Sequence, residues 1–320
     1  CGERISGGSR YHRGRRMIYT VTLNPSIDYV LELTELTAGD IMRTKAENLI
    51  FGGKGINVSS MLANLGMKSC ALGFIAGFTG EALEQGVAAM GIQPDFLKVD
   101  QGFTRINVKI HAKEESEING QGPQIRISHL EQLMKKLDRL KKDDILVLSG
   151  NVPGSIPQDV YADIMQRLQG SGIRVSVDAT GEALMSTLVY HPFLIKPNHK
   201  ELADMFEVEL SSREDLLVYG KELQSMGARN VLVSMAEQGA LLLSEDGAVY
   251  HTPSCKGEVV NSVGAGDSMV AGFLYGYLQE HSYEAALRYG AACGSASAFS
   301  KGIAEKEQVE EMLKQLGGTI

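Results

Sequence analysis

Short apolar runs alternate along the chain with stretches of helical periodicity, and each run ends in polar or glycine residues. The first run, residues 17–23, is rich in β-branched residues and ends at Asn24 and Pro25. Four later runs end in the same way, at residues 145–148, 173–177, 193–195 and 231–233. Helical stretches lie between the runs, at residues 157–169, 181–189, 200–206 and 212–226. This alternation predicts an α/β fold, in which a mainly parallel sheet is covered by helices on both faces.

Two stretches depart from this alternation. Residues 28–51 contain no persistent helical pattern, and Tyr29 to Leu33 alternate between apolar and polar side chains. Residues 103–120 contain a second alternating piece. Period-two alternation is typical of half-buried strands. We therefore expect both stretches to form a small β-sheet lid inserted into one domain that spans residues 17–320.

The first 16 residues carry five arginines and one glutamate with almost no apolar content. They lack the apolar core of a signal peptide, and we interpret them as an expression tag or a disordered arm. The whole chain has a net charge of −8, which argues against nucleic acid or an anionic membrane as a partner. No apolar run is long enough to span a bilayer. Cys70, Cys255 and Cys293 show no metal-ligand spacing, as expected for reduced thiols of a cytoplasmic protein.

A glycine-rich polar turn at residues 261–266 runs directly into the apolar segment 269–278. Apolar residues in that segment recur at helical spacing, so the turn lies at the start of a helix. Glycines allow backbone N–H groups to converge there, where the helix dipole favours an anion. Asp267 would lie in the first turn, beside that anion. The alternative is an ordinary helix start with a capping acid.

A second glycine-rich segment, residues 51–58, opens a helix that we expect to reach about Leu65. Gly52 and Gly53 would let the backbone approach a ligand closely. Asn57, just inside the helix, offers both donor and acceptor groups. The segment lacks the glycine spacing of a Walker loop, and a simple turn before a helix is the alternative.

Two further strand ends carry groups suited to a nucleotide and its metal ion. Asn198 and Glu201 are three residues apart at a helix start, so they would face the same side and could hold Mg²⁺ through waters. The same pair is equally typical of an N-cap with its capping-box partner. Lys196 could contact a phosphate or be an ordinary strand-end charge. Ser234 and Gly239 could bracket nucleotide phosphates or make a turn between strands.

Asp28 comes directly after the first apolar run. In parallel α/β sheets, the carboxyl ends of the strands are the edge where ligands bind. The alternative is a turn carboxylate, because the residues before Asp28 are typical of turns. Together, the strand-end residues suit phosphoryl transfer, which needs charge stabilisation for phosphates, a metal ion and a base for the incoming hydroxyl group.

Four motifs resemble those of a known family and occur in the family's order. They are residues 22–28 (Thr-Leu-Asn-Pro-Ser-Ile-Asp), 52–58 (Gly-Gly-Lys-Gly-Ile-Asn-Val), 196–201 (Lys-Pro-Asn-His-Lys-Glu) and 263–267 (Val-Gly-Ala-Gly-Asp). From residue 17 to about residue 317 the chain resembles the phosphofructokinase B group of ribokinase-like sugar kinases. This resemblance implies ATP as the phosphoryl donor, Mg²⁺ as the metal ion, and a homodimer formed through the lid.

The resemblance also implies roles for individual residues. Asp267 would be the catalytic base, with an anion hole made by Gly264, Ala265 and Gly266. Asp28, Gly53 and Asn57 would hold the sugar hydroxyls, and Arg105 would contact the phosphate group of the sugar phosphate. From their positions in the sequence, we also assign Gly52 and Lys54 to the sugar phosphate, and Lys196, Ser234, Gly239, Gly264 and Gly266 to ATP. Asn198 and Glu201 would organise Mg²⁺.

Residues 71–80 and 117–123 are similar to the bacterial subgroup that phosphorylates fructose 1-phosphate to fructose 1,6-bisphosphate. Kinases of tagatose 6-phosphate share almost all these motifs and are the alternative. A regulator that binds sugar phosphates on an inactive kinase fold is a third hypothesis. The intact Asp267 and the Asn198 and Glu201 pair argue against it, because a protein that only binds needs none of them.

Overall fold

The computed structural model describes residues 16–318. Except for Arg16, the predicted tag or arm lies outside these residues. The strands are, in chain order, β1 (Ile18–Thr22), β2 (Ser26–Glu32), β3 (Ala46–Gly52), β4 (Ser69–Ala76), β5 (Gln93–Pro94), β6 (Leu97–Val99), β7 (Arg105–His111), β8 (Ser116–Asn119), β9 (Ile145–Ser149), β10 (Arg174–Asp178), β11 (Leu194–Ile195), β12 (Asn230–Ser234), β13 (Ala240–Leu243) and β14 (Val249–Thr252). The α-helices are α1 (Lys54–Asn64), α2 (Gly77–Ala89), α3 (Ile127–Leu137), α4 (Val160–Arg167), α5 (Gly181–Met185), α6 (His199–Phe206), α7 (Arg213–Ser225), α8 (Ala265–Glu280), α9 (Tyr283–Ala298) and α10 (Lys306–Gln315).

The main sheet has the strand order β14-β13-β12-β11-β10-β9-β1-β4-β5, with β6 also paired to β4. All of its pairs are parallel except those of β13, which runs antiparallel to β12 and β14. Helices connect the parallel strands, because parallel neighbours cannot be joined by a tight turn. The predicted α/β fold with a mainly parallel sheet is confirmed.

Both faces of the main sheet are buried, as the central strand β9 shows. Ile145 and Val147 pack with α1, α8, α9 and α10 on one face. Leu146 and Leu148 pack with α3, α4, α6 and α7 on the other. Burying one such side chain is worth about 1.5–3 kcal/mol, so the continuous apolar run of β9 is what a two-sided sheet requires.

A separate four-stranded sheet, the lid sheet, has the order β3-β2-β7-β8. It consists of the two stretches predicted to form a lid. β2 pairs antiparallel with β3 and parallel with β7, and β7 pairs antiparallel with β8. Pairing β2 with β7 brings the second stretch beside the first, and Ser26 lies opposite Arg105.

None of the helices within residues 16–318 combines the length and apolar character needed to cross a bilayer. In the same part of the chain, Cys70, Cys255 and Cys293 are buried free thiols.

Candidate active site

The glycine-rich turn predicted to start a helix lies at the N-terminus of α8. Gly264 precedes the helix with φ +82°, and a Cβ atom there would lie 2.7 Å from the Cδ1 atom of Ile303. A larger residue is therefore excluded both by its backbone conformation and by space. The Ala265 N–H donates to the carbonyl of Ser262 at 3.3 Å. Within residues 16–318, the next two amides, of Gly266 and Asp267, have no acceptor, so they are the donors available to an anion at the positive end of α8.

Asp267 is buried beside this anion hole. It is 5% exposed, and its Oδ2 atom accepts a 2.8 Å hydrogen bond from the Asn57 side chain of α1. Burial raises the pKa of Asp267 to about 7, and the negative charge of Asp178 adds to the rise. The Asn57 hydrogen bond and the ammonium groups of Lys54 and Lys196 oppose it. A carboxylate that ionises near neutral pH suits a general base.

Asp178, at the end of β10, was not predicted as a site residue. It is 3% exposed, and its carboxylate lies 3.4 Å from the Nζ atom of Lys54 and 3.5 Å from that of Lys196. Although burial disfavours its ionised form, the two ammonium groups hold the pKa of Asp178 below its ordinary value. The charges of Asp178, Asp267 and Glu201 likewise outweigh burial and raise the pKa of Lys54. Asp178 and Lys54 are therefore both charged at neutral pH.

A cavity of about 620 Å³, which we call the acceptor cavity, lies between the main sheet and the lid sheet. Its cationic groups are Lys54, at the start of α1, and Arg105, at the start of β7. The Nε atom of Arg105 donates to the carbonyl of Asn24 at 3.1 Å, which orients the guanidinium group. Burial lowers the pKa of Arg105, although the negative charge of Asp28 opposes this. Two cations lining one cavity suit a phosphate group. Its polar lining also includes Thr22, Asn24, Gln121, Gln124, Ser149, Asn151 and Ser155.

Of the predicted sugar contacts, Gly53 and Lys54 line the acceptor cavity, whereas Asp28, Gly52 and Asn57 do not. The Asp28 carboxylate accepts hydrogen bonds from Ser26 and Asn107. It also lies 3.3 Å from the Nζ atom of Lys109. Asp28 is therefore held within the lid sheet in this structure, and Asn57 is directed at Asp267. Gly53 has φ +131°, and a Cβ atom there would lie 2.6 Å from Thr22, so glycine is required where α1 begins.

A second cavity, of about 670 Å³, lies on the other side of the α8 N-terminus, and we call it the nucleotide cavity. Of the residues that we assigned to ATP, Ser234, Gly239 and Gly266 line it, whereas Lys196 and Gly264 do not. The Lys196 ammonium lies against the turn, 3.1 Å from where a Cβ atom of Gly266 would be. Sequence reasoning missed the apolar part of this cavity, whose walls include Val259, Met269, Ala291, Ala298 and Phe299. The run of small residues in α9 was the available signal, since small side chains leave room beside α8.

Asn198 and Glu201 form the capping box of α6. The Asn198 side chain accepts from the amides of Lys200 and Glu201, and the Glu201 Oε2 atom accepts from the Asn198 amide at 2.7 Å. The capping alternative is therefore observed. The capping box uses the Oε2 atom of Glu201, and the Oε1 atom takes no part in it. The part of the chain from 16 to 318 contains no cluster of three or more His, Cys, Asp or Glu residues able to hold a metal ion directly.

Comparisons with known proteins identify the family of this chain. The family model described as "pfkB family carbohydrate kinase" matches residues 21–309. The chain is 44% identical to the 1-phosphofructokinase of Bacillus subtilis, covering 94% of this chain and 98% of that protein. It is 36% identical to the D-tagatose-1-phosphate kinase of Bacillus licheniformis, covering 94% and 98%. Its fold is similar to a crystal structure of Escherichia coli phosphofructokinase-2 in complex with fructose-6-phosphate, with a TM-score of 0.87, 29% identity and coverage of 95% and 100%. The chain belongs to the pfkB family of carbohydrate kinases.

Proposed function

We propose that this protein transfers the γ-phosphoryl group of ATP to fructose 1-phosphate and releases fructose 1,6-bisphosphate and ADP. The observation that carries the proposal is the position of Asp267. This buried carboxylate accepts from Asn57 and lies next to the two amides that we assign as the anion hole. It is close enough to Lys54, which lines the acceptor cavity, for their charges to interact, and its neighbour Gly266 lines the nucleotide cavity. The names of the similar kinases support a ketose 1-phosphate as the acceptor.

In the proposed reaction, Lys54 and Arg105 hold the 1-phosphate and place the other end of the sugar toward Asp267. The C6 hydroxyl oxygen attacks the γ-phosphorus of ATP while its proton passes to the Asp267 carboxylate. The bond from the γ-phosphorus to the bridging oxygen breaks, and its electron pair leaves with ADP. The amides of Gly266 and Asp267 stabilise the negative charge on the transferring group.

Mg²⁺ fits this site as an ion held mainly by the phosphates and water. Mg²⁺ keeps several waters and is usually bound through one or two carboxylates together with substrate phosphates. Glu201 has one oxygen outside the capping box, and its charge already acts on Lys54 at the active site. We propose that this oxygen holds a water of the ion, with Asn198 fixing the orientation of Glu201. When bound, Mg²⁺ neutralises charge on the β- and γ-phosphates.

The acceptor is tested by measuring ADP release with fructose 1-phosphate, tagatose 1-phosphate, tagatose 6-phosphate, fructose 6-phosphate and fructose. We expect the highest kcat/KM with fructose 1-phosphate, followed by tagatose 1-phosphate, which differs from it only in the configuration at C4. A clear preference for a 6-phosphate or for free fructose would contradict the proposed acceptor. Binding of fructose 1-phosphate without ADP release would instead favour a non-catalytic regulator.

The rate should depend on pH through Asp267. A carboxylate whose pKa is raised to about 7 is protonated below that pH and cannot accept the hydroxyl proton. We therefore expect kcat/KM for the sugar phosphate to fall about tenfold for each pH unit below about 7 and to level off above it. Direct quantification of ADP from about pH 5.5 to about pH 8.5 checks this. A flat profile, or a rate that falls as the pH rises through 7, would exclude Asp267 as the base.

We also propose that two copies of the chain associate through the lid sheet. The strand register places Leu49, Tyr29, Val108 and Ile118 in one row across all four strands, on the face opposite Asp28. Leu49 is 56% exposed and Ile118 is 64% exposed. Tyr29 and Val108, in the middle of the row, are half-buried. Exposed apolar side chains at the two edges of such a row are typical of a protein interface.

Sedimentation of a double variant, Leu49→Glu with Ile118→Glu, tests the association. We expect the wild-type protein to sediment as a dimer and the double variant as a monomer, because each added carboxylate would be buried against apolar side chains. Val218→Glu is the control, since Val218 is 62% exposed on α7, away from the lid sheet. Unchanged association in the double variant, or a monomeric wild-type protein, would contradict the proposal.

The proposed location is the cytoplasm. Cys70, Cys255 and Cys293 are free thiols, although each is buried beside apolar groups. Structural thiols persist in this form where the surroundings are reducing. The proposed substrates, ATP and a sugar phosphate, are also cytoplasmic metabolites, so chemistry and thiol state favour the same compartment.

A further inference from the structure

We propose that Asp178 is a positioning residue for phosphoryl transfer, whose buried carboxylate holds Lys54 at the acceptor cavity and Lys196 at the nucleotide side of the anion hole. The inference rests on the function proposed above and extends it to a residue outside the four sequence motifs. Asp178 lies at the carboxyl end of β10, and neither lysine is its neighbour in sequence.

The geometry requires such an anchor. The Lys54 ammonium lies 3.4 Å from one Asp178 oxygen, and the Lys196 ammonium lies 3.5 Å from the other. Lysine is a point charge on a flexible four-carbon stem, so its position depends on what holds the ammonium group. Without the carboxylate, two like charges in a poorly solvated site would repel and move apart. One side chain therefore fixes a cation on each side of the reacting phosphoryl group.

Asp178 also acts on the base through its charge. The charged and titratable groups around Asp267 are Lys54 on α1, Asp178 on β10 and Lys196 after β11, with Glu201 of α6 close enough to act on Lys54. The Asp178 charge raises the pKa of Asp267, whereas the two lysines lower it. Removing the Asp178 charge therefore favours ionised Asp267, and removing either lysine charge favours its protonated form.

The test is the pH profile of kcat/KM in Asp178→Asn. An asparagine cannot accept from both ammonium groups, so we expect kcat/KM for both substrates to fall by roughly ten- to a hundredfold, as for loss of one charge-assisted contact. At the same time, the acid limb of the profile, where kcat/KM falls with decreasing pH, should move to lower pH by about one unit. The reason is that a negative charge near the base has been removed. A purely structural defect would lower activity without moving the limb in this direction.

Asp144→Asn is the matched control. Asp144 is another buried carboxylate, but it accepts from the amides of Met17 and Lys141 before β9, at the opposite end of the sheet. We expect this variant to lower the melting temperature while keeping the wild-type acid limb. Thermal unfolding of both variants separates loss of folding from loss of positioning.

Two lysine variants keep the test decisive if Asp178→Asn does not fold. Lys54→Met should raise KM mainly for the sugar phosphate, Lys196→Met should raise it mainly for ATP, and both should move the acid limb to higher pH. An unmoved limb in every folded variant, or an Asp178→Asn protein whose only defect is a higher Mg²⁺ requirement, would overturn the proposed role. A wild-type protein inactive on every ketose phosphate would instead contradict the proposed function itself.

Discussion

Asp267→Asn is expected to lower kcat by about 10²–10⁴-fold, the usual contribution of general-base catalysis, while leaving KM for both substrates largely unchanged. The amide has nearly the shape of the carboxylate and can still bond to Asn57, so the site should remain assembled. What is lost is the acceptor for the hydroxyl proton. Steady-state ADP release at saturating substrate measures the effect directly.

Asp246→Asn is a suitable control for this substitution. Asp246 accepts hydrogen bonds from Ser244 and Ala248 in the turn between β13 and β14, and it is not among the charged groups that act on Asp267. We expect near wild-type turnover from the control. If Asp267→Asn kept most of its turnover, or if it lost substrate binding in proportion to turnover, Asp267 would not be the base.

Arg105→Ala is expected to raise KM for fructose 1-phosphate by roughly ten- to a hundredfold. A hydrogen bond to a charged group is worth about 1.5–3 kcal/mol, and this guanidinium lines the same cavity as Lys54. The KM for ATP should change far less, because Arg105 does not line the nucleotide cavity. Initial rates with each substrate varied in turn measure both constants.

Lys113→Ala provides a control with the same loss of charge from the lid sheet. Lys113 pairs with Glu35 at 3.0 Å, is largely exposed and does not line the acceptor cavity. It should leave both KM values unchanged. An equal loss of affinity for ATP and sugar phosphate in Arg105→Ala would mean that the substitution disrupts the lid sheet rather than a phosphate contact.

Local patterns predicted most of the fold. The alternation of apolar runs and helical stretches predicted the mainly parallel sheet, because burial on both faces requires continuous apolar strands. The glycine-rich segments predicted where α1 and α8 begin, because a backbone with positive φ next to a close neighbour demands glycine, as at Gly53 and Gly264. These signals lie within a few residues of the feature they predict.

Contacts between distant residues could not be predicted in this way. Asp178 meets Lys54 across 124 positions only because β10, β9 and β1 are successive strands of the sheet. In the sequence, Asp178 is one of several acidic residues that follow a predicted strand, and nothing nearby singles it out. The Asn57 hydrogen bond to Asp267 spans 210 positions. The resemblance implied a contact from Asn57 to the sugar, which stays a prediction, and the motif itself gave no sign of so distant a partner.

The motif at Asn198 and Glu201 shows a different limit. Its spacing was compatible with a capping box and with a metal-organising pair, and the structure contains the capping box. Both interpretations need the two side chains on the same side of a helix start, so spacing alone could not separate them. The proposed Mg²⁺ role now depends on the single Glu201 oxygen that the box leaves free.

The identity of the reaction product tests the central claim most directly. Phosphorus NMR of a mixture of the protein, Mg²⁺-ATP and fructose 1-phosphate follows every phosphate group at once. We expect ADP and fructose 1,6-bisphosphate to appear in equal amounts, with a new phosphomonoester signal at C6. Inorganic phosphate formed in place of that signal, or unchanged ATP and fructose 1-phosphate, would contradict the proposed transfer.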